Sequence, residues 1–478
     1  MLFNSFEFLL FFPIVTLLYF LLPYKHRWLW LLSASCFFYA FFKWYYIFIL
    51  VFTIVIDYYA AFWIANSTGV KKKWALGLSL AANIGVLGMF KYYYFIVDNF
   101  NAVIWKVGIH QHYDPLWHFL LPIGLSFHTF QAMSYTIEVY RGHQPVEKNF
   151  GIYALYVMFY PQLVAGPIER PQNVIHQFYE KFDFDYDRVK SGMRLMLWGF
   201  FKKVVIADNL SIFVDKIYGD LPHFQGLPIL VATLFYSFQI FCDFSGYSDI
   251  ALGSARVMGF KLMKNFDRPY FSTSISEFWR RWHISLSSWF RDYLYIPLGG
   301  NRVGKFRKYF NLFIVFMVSG LWHGASWNFV IWGSLHGIYL IFGQLTESFQ
   351  KKIFGLFGGK RLSNFIEGSF TIFLVIFAWI FFRAKNFTDA KYVIKNVFAG
   401  SSHSISQITE MIGSKELIVL LSAILIMEIV HKMQNTKAIG AWIETLPRWQ
   451  RWSVYYFFLF FLLTFGYFGK VQFIYFQF

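Results

Sequence analysis

The sequence predicts an all-α, polytopic membrane protein, and three observations carry that reading. Hydrophobic residues make up 57% of the 478 and charged residues only 14%, against about a quarter charged in a soluble domain. Mean hydropathy is +0.45. Apolar runs close to the ~20 residues that a spanning helix needs recur from one end of the chain to the other. Lysine and arginine outnumber acidic residues by 43 to 26, for a net charge of +17. A nucleic-acid-binding protein would gather such charge on one face of a soluble fold. Here it sits in short clusters between apolar runs, as cytoplasmic loops do under the positive-inside rule. The implied partner is the lipid bilayer, and no nucleic acid is expected. The two cysteines, Cys36 and Cys242, lie in or beside apolar runs. That pattern argues against a disulfide framework or a cysteine-ligated zinc site, and no metal site is expected.

The N-terminal stretch MLFNSFEFLLFFPIVTLLYFLLPYKHR lacks the basic start and small-residue cleavage site of a signal peptide. It reads as an uncleaved first span, with Lys25, His26 and Arg27 inside and the N-terminus outside. Candidate spans cover residues 4–23, 28–42, 45–65, 74–97, 117–138, 196–217, 227–241, 308–322, 325–345, 365–383, 415–431 and 452–469. About eleven crossings are expected, together with re-entrant or interfacial helices. Lys71, Lys72 and Lys73 mark one cytoplasmic loop, and Arg141 to Lys148 another.

Residues 149–168 are apolar but are broken by Pro161 and by the Gly166–Pro167 pair. Basic residues flank them on both sides, so the segment is expected to enter and leave on one face. The alternative is an ordinary span kinked at proline. Residues 261–308 are basic and dense in tryptophan and tyrosine, which suits helices at the membrane interface. The later stretch 385–414 is polar and carries no motif. No internal repeat or soluble domain is evident, so one membrane domain is expected over 1–478. Its motif-bearing core spans about 116–345 and its C-terminal helices 346–478.

Chemistry concentrates in four places. His323 lies in LWHGAS, where Gly324 and Ala325 allow close approach of backbone or substrate. Imidazole is the usual general base near neutral pH. The competing reading is a hydrogen-bonded structural histidine. His336, in WGSLHG, shares a cavity with His323 or packs separately. His283 sits among Arg280, Arg281 and Arg291, where it orients a donor or relays a proton, or else pairs with Asp292 or Glu277. In PLGGNR, Gly299, Gly300, Asn301 and Arg302 combine backbone N–H groups with a guanidinium. With the three arginines they form a candidate phosphate site for a cytoplasmic carrier. The run FCDFSGYSDIALGSA, Phe241 to Ala255, supplies Asp243, Ser245, Tyr247, Ser248 and Asp249. At helical spacing Ser245 and Asp249 share a face. Intramembrane carboxylates point to function; the alternative is a polar patch that pairs with the arginines. Cys242 reads as a small core residue. No GxSxG elbow, P-loop, HExxH or dinucleotide fingerprint stands in a supporting context.

Taken together, MLFNSFEFLLFFP, PIGLSFHTFQ, FYPQLVAGPIER, FCDFSGYSDIALG, FWRRWHISLSSWFRDYLYIPLGGNR and LWHGASWNFVIWGSLHG resemble the membrane-bound O-acyltransferase family. Within it they look closest to the bacterial branch that acetylates alginate, with teichoic-acid D-alanylation as a more distant relative. The resemblance covers residue 1 to about 340; beyond that it is one of architecture. It implies a helical ring around a central tunnel, with His323 as the catalytic histidine and His283 as the second functional one. It implies acyl transfer from a cytoplasmic thioester, acetyl coenzyme A or an acyl carrier, to a hydroxyl outside. No cofactor would be resident. An exported partner, SGNH-type or another acetyltransferase, would complete transfer to a polysaccharide at a bacterial inner membrane. Asn328, Trp322 and the backbone near Gly324 are the candidate donors to an oxyanion. Asp243, Ser245, Tyr247, Asp249, Trp322, Asn328 and His336 would line the tunnel. A transporter or flippase is the competing class, since it too uses discontinuous apolar segments and buried polar residues.

Overall fold

The computed structural model describes residues 1–116, 121–355, 359–400, 405–469 and 473–476. Among them every regular element is helical. Two compact units form, one of Met1–Met193 with Ala251–Met263, the other of Arg194–Ile250 with Lys264–Phe478.

In the first unit the Ile47–Ala65 helix packs against Gly69–Leu87 and Leu125–Arg141, and Tyr24–Ala40 packs against Phe150–Met158. The seam among the first three helices is polar. Asp57 accepts from Ser79 Oγ at 2.6 Å and from Asn83 Nδ2 at 2.9 Å on each oxygen. Ser79 also donates to Thr136 at 2.9 Å, and Thr53 Oγ1 lies 2.5 Å from His128 Nε2. All six of these side chains are buried, while Phe48, Phe52, Tyr59 and Trp63 on the same first helix face outward. Polar groups inside and large apolar groups outside invert the soluble pattern. That inversion suits helices whose outer solvent is lipid.

Residues 149–168 fold as two short helices, Phe150–Met158 and Tyr160–Leu163, with a break at Phe159 (φ −52°, ψ 113°). Nine helical residues reach about 14 Å, under half of the ~30 Å hydrocarbon core. Neither piece spans, and the whole stretch is buried in protein from Ile152 to Ile168. Covered, discontinuous backbone of this kind is what membrane depth tolerates.

Several expected spans change on folding. The 117–138 span becomes a helix only from Leu125, after Gly124 at φ +77°; residues 117–120 lie outside the described set. The 227–241 span continues to Met258, so the polar run 241–255 is helical. The 196–217 span is interrupted by a π-helical turn at Phe201–Ala207. Among the described residues four helices are long and apolar enough to cross a membrane: Trp44–Ala65, Gly69–Lys106, Leu227–Met258 and Lys360–Arg383. The expected eleven exceeds this because other helices, such as Ser414–Met433 with its lysines and glutamates, are long enough but too polar or charged, and others are shorter. Phe6–Leu21 has 16 residues, about 24 Å of rise.

Candidate active site

In the second unit, Lys305–His323 and Trp327–Leu345 form a tight helical hairpin. Glycines permit it. A Cβ on Gly320 would meet Phe329 O at 2.1 Å, and one on Gly333 would meet Phe316 O at 2.2 Å. The first helix ends at His323 because Gly324 is extended, at φ −158° and ψ 146°. His323 is therefore the last helical residue, carried one turn beyond the closest backbone contact. It is buried, at 3% exposure. Its ring lies 4.9 Å from Trp322, 5.0 Å from Trp332, 5.4 Å from Phe382 and 5.6 Å from Tyr475, between centroids.

His283 arrives from a different element. It joins two short helices, Ile275–Arg281 and Ile284–Phe290, with a left-handed backbone at φ +42°. Side-chain residues other than asparagine, aspartate and histidine rarely adopt that region, and its cost is about 1–3 kcal/mol. The turn is held by Asn265. Its carbonyl accepts from Ile284 N at 2.9 Å and its Oδ1 from Ser285 Oγ at 2.6 Å, while its Nδ2 donates to Ser248 at 3.2 Å. The His283 ring sits 4.6 Å from Phe244 and 6.3 Å from His323, fully buried. Sequence separation of forty residues thus closes to one histidine pair in an aromatic chamber.

Burial pushes the His283 imidazole down from its ordinary value near 6.5 to about 3. The sign follows. Between about pH 6.5 and pH 3 the unfolded chain binds a proton at this site and the folded one does not, so stability falls as pH falls through that window. Thermal unfolding in detergent is expected to show a lower midpoint at pH 5 than at pH 7. His283→Gln should shrink that difference without abolishing it, since other buried histidines contribute in the same sense; an equal slope in the variant would remove His283 as a source.

The other expected site residues distribute as follows. His336 is buried beside the pair. Trp279 Nε1 donates to its Nδ1 at 3.2 Å, and Trp332 lies against both it and His323. Asn328 Nδ2 donates to Ala384 O at 2.9 Å, tying the second hairpin helix to the end of Lys360–Arg383. Trp322 contacts both histidine rings. The Tyr247 ring lies tilted against Phe473, 4.6 Å between centroids. Cys242 is buried with its thiol 3.4 Å from Met427 sulfur, as a core residue would be.

Asp243 and Asp249 do not pair with the arginines. Lys203 Nζ lies 2.8 Å from Asp243 and 2.6 Å from Asp208; Lys202 Nζ lies 2.8 Å from Asp249 and 2.9 Å from Ser245 Oγ. Both lysines are buried in the π-turn, and the end of the helix before it, Tyr186–Phe200, meets the Leu227–Met258 helix where Gly199 and Gly246 touch. A Cβ on Gly199 would meet Gly246 O at 2.6 Å. The sequence reading missed this pair, although two adjacent lysines inside the 196–217 span were the signal for it.

The arginines satisfy local carboxylates. Arg281 pairs with Glu277 at 2.6 Å and Arg291 with Asp292 at 2.7 Å. The PLGGNR stretch is a closed turn. Gly299 N donates to Ile296 O, Gly300 N to Tyr295 O and Arg302 N to Gly299 O. The open array of N–H donors expected there is therefore not formed, because the turn itself consumes them. The Asn301 and Arg302 side chains stay exposed. Arg280 is exposed and lines a cavity of about 690 Å³ with Tyr339, Gln344 and Glu367.

Tyr475, from the C-terminal segment, is the other residue the sequence did not flag. Its ring lies 5.6 Å from His323 and 6.2 Å from His283.

The profile of MBOAT, the membrane-bound O-acyltransferase family, matches residues 143–384, which include both histidines. The chain is 39% identical to a probable alginate O-acetylase of Pseudomonas putida, over 85% of this chain and 82% of that protein. It is 37% identical to a peptidoglycan O-acetyltransferase of Helicobacter pylori, over 80% and 76%. It is 27% identical to a teichoic acid D-alanyltransferase of Bacillus subtilis, over 61% and 76%. The matched histidine hairpin, the inverted polarity and the extent of these likenesses lead to one assignment: the chain belongs to the membrane-bound O-acyltransferase family, in its alginate O-acetylation branch, and is an acyltransferase.

Proposed function

We propose that this enzyme moves an acetyl group from a cytoplasmic thioester to hydroxyls of an exported polysaccharide, with His323 as general base. The observation that carries the reading is the buried histidine pair, 6.3 Å apart between ring centroids and walled by aromatic side chains. In such a dry site a neutral imidazole takes the proton of the attacking hydroxyl while its oxygen adds to the thioester carbonyl. The tetrahedral intermediate collapses, the C–S bond breaks, an ester forms, and the proton passes to the departing thiolate. The oxyanion is served by the indole N–H of Trp322 and the phenol of Tyr475. His283 orients or relays from the donor side.

Acetyl coenzyme A fits the donor role, and a thioester on an acyl carrier is the alternative. Arg280, beside its cavity, with Arg302 and Asn301 offers side chains for the phosphates; Arg281 and Arg291, each paired with a local carboxylate, add guanidinium charge to the same stretch. The acceptor is alginate or another wall or envelope polymer, reached through an exported SGNH-type or other acetyltransferase partner. The polypeptide works as one domain over 1–478 in the bacterial inner membrane, its N-terminus outside, with about eleven crossings around a central passage. Asp243, Ser245, Tyr247, Asp249, Asn328 and His336 support that passage.

The test is transfer of labelled acetyl from acetyl coenzyme A by proteoliposomes that contain the enzyme and its exported partner. Label in polymer supports the reading; label that appears only with an aminoacyl carrier moves the enzyme to the D-alanyl class. Arg280→Ala is expected to raise the donor KM roughly tenfold, the scale of one charge-assisted hydrogen bond, with kcat little changed. An unchanged KM would take Arg280 out of the donor site.

A further inference from the structure

We propose that Lys203 is a positioning residue that seats the C-terminal segment of the chain against the histidine pair. The argument starts at the π-turn Phe201–Ala207, which leaves backbone carbonyls without ordinary helical partners. Val204 O accepts from Tyr467 N at 3.0 Å. Asn209 Nδ2 donates to Val204 O, to Val205 O and, at 3.0 Å, to Phe465 O. The turn thus holds the exit of the last long helix, Arg448–Phe465.

The same turn holds the segment again further along. Lys203 Nζ bridges Asp208 and Asp243 through one carboxylate oxygen of each. The second oxygen of Asp243 accepts from Ile474 N at 2.9 Å. Phe473 lies 4.6 Å from Tyr247, one turn further along the Asp243 helix. Tyr475 is thereby delivered to both histidine rings and to Phe244 at 4.5 Å. Asp208, Asp243 and Lys203 are all buried. A buried carboxylate with one oxygen on an ammonium has a fixed direction for its other oxygen. The ion triad therefore aims an acceptor, and the acceptor fixes where Tyr475 sits. This rests on the reading of the histidine pair as the site of transfer.

Two variants separate seating from folding. Ile474→Pro deletes the N–H donor but leaves the triad intact, and proline is tolerated at the first position of the short Ile474–Phe476 turn. Ile474→Ala keeps the N–H. Hydrogen exchange of the full-length protein in detergent reads the C-terminal peptide directly, independent of transfer. Ile474→Pro and Lys203→Met should each speed exchange in that peptide, while the Lys305–His323 peptide keeps its protection. Acetyl transfer should be at least tenfold slower in Ile474→Pro than in Ile474→Ala, through kcat and not through donor KM. Unchanged exchange in Lys203→Met overturns the role of Lys203. Exchange lost with transfer retained overturns the link to the reaction. Transfer retained in His323→Ala would instead sink the assignment of the histidine pair and leave the exchange result standing.

Discussion

His323→Ala is expected to lower acetyl transfer at least a hundredfold while the protein still inserts, purifies and runs as a single species. General-base catalysis contributes about 10² to 10⁴ in rate, and among the described residues neither neighbouring imidazole is placed to take over the position. His336 is separated from the site by the Trp332 ring, and His283 approaches from another element with its own backbone constraint. Truncation leaves a small cavity among Trp322, Trp332, Phe382 and Tyr475. Its cost in stability is real but local. His323→Gln fills more of that space without a base of the same strength, so the two variants should share the catalytic loss and differ in stability. Acylated polymer at the normal level, with membrane abundance of the variant confirmed by immunoblot, would end the catalytic role of His323.

The second large effect is structural. Gly320→Val should prevent accumulation of folded enzyme, or leave it inactive and polydisperse on size exclusion. The first side-chain carbon would fall 2.1 Å from Phe329 O, a backbone atom that a rotamer change cannot move. Overpacked cores usually lose up to ~3 kcal/mol, and this contact lies at or above that end because two helices must separate. Separation carries His323 with it, three residues on. Gly337→Ala makes a graded comparison, since its Cβ would meet Phe313 at 3.3 Å. A well-behaved, active Gly320→Val protein would mean that the hairpin is looser than described.

Much of this was legible in the residues. The composition set the solvent, Pro161 and the Gly166–Pro167 pair set the discontinuity, and the i, i+4 spacing of Ser245 and Asp249 placed both on one helical face, where Lys202 reaches them. The two histidines stood out because each lies in a setting that makes an imidazole costly or useful. Three things were hidden, for different physical reasons. A π-turn has no local sequence signature, so Lys202 and Lys203 could not be oriented toward Asp249 and Asp243. The PLGGNR amides looked available because sequence shows donors but not the carbonyls of Tyr295, Ile296 and Gly299 that a closed turn brings to them. Tyr475 lay past the last recognisable motif, and its contact with His323 spans about 150 residues of chain, which no periodicity reports.

The π-turn carries one more consequence. Along a helix each residue advances the side-chain direction by about 100°. The Phe201–Ala207 turn holds one residue more than an ordinary helical repeat would, so the two lysines owe their bearing to a matter of counting. Deleting any single residue there, even an apolar one with no contact to the site, would let the helix wind normally and turn the upstream stretch out of phase with Asp243 and Asp249. The length of this stretch of chain is thus under as tight a constraint as the identity of its lysines.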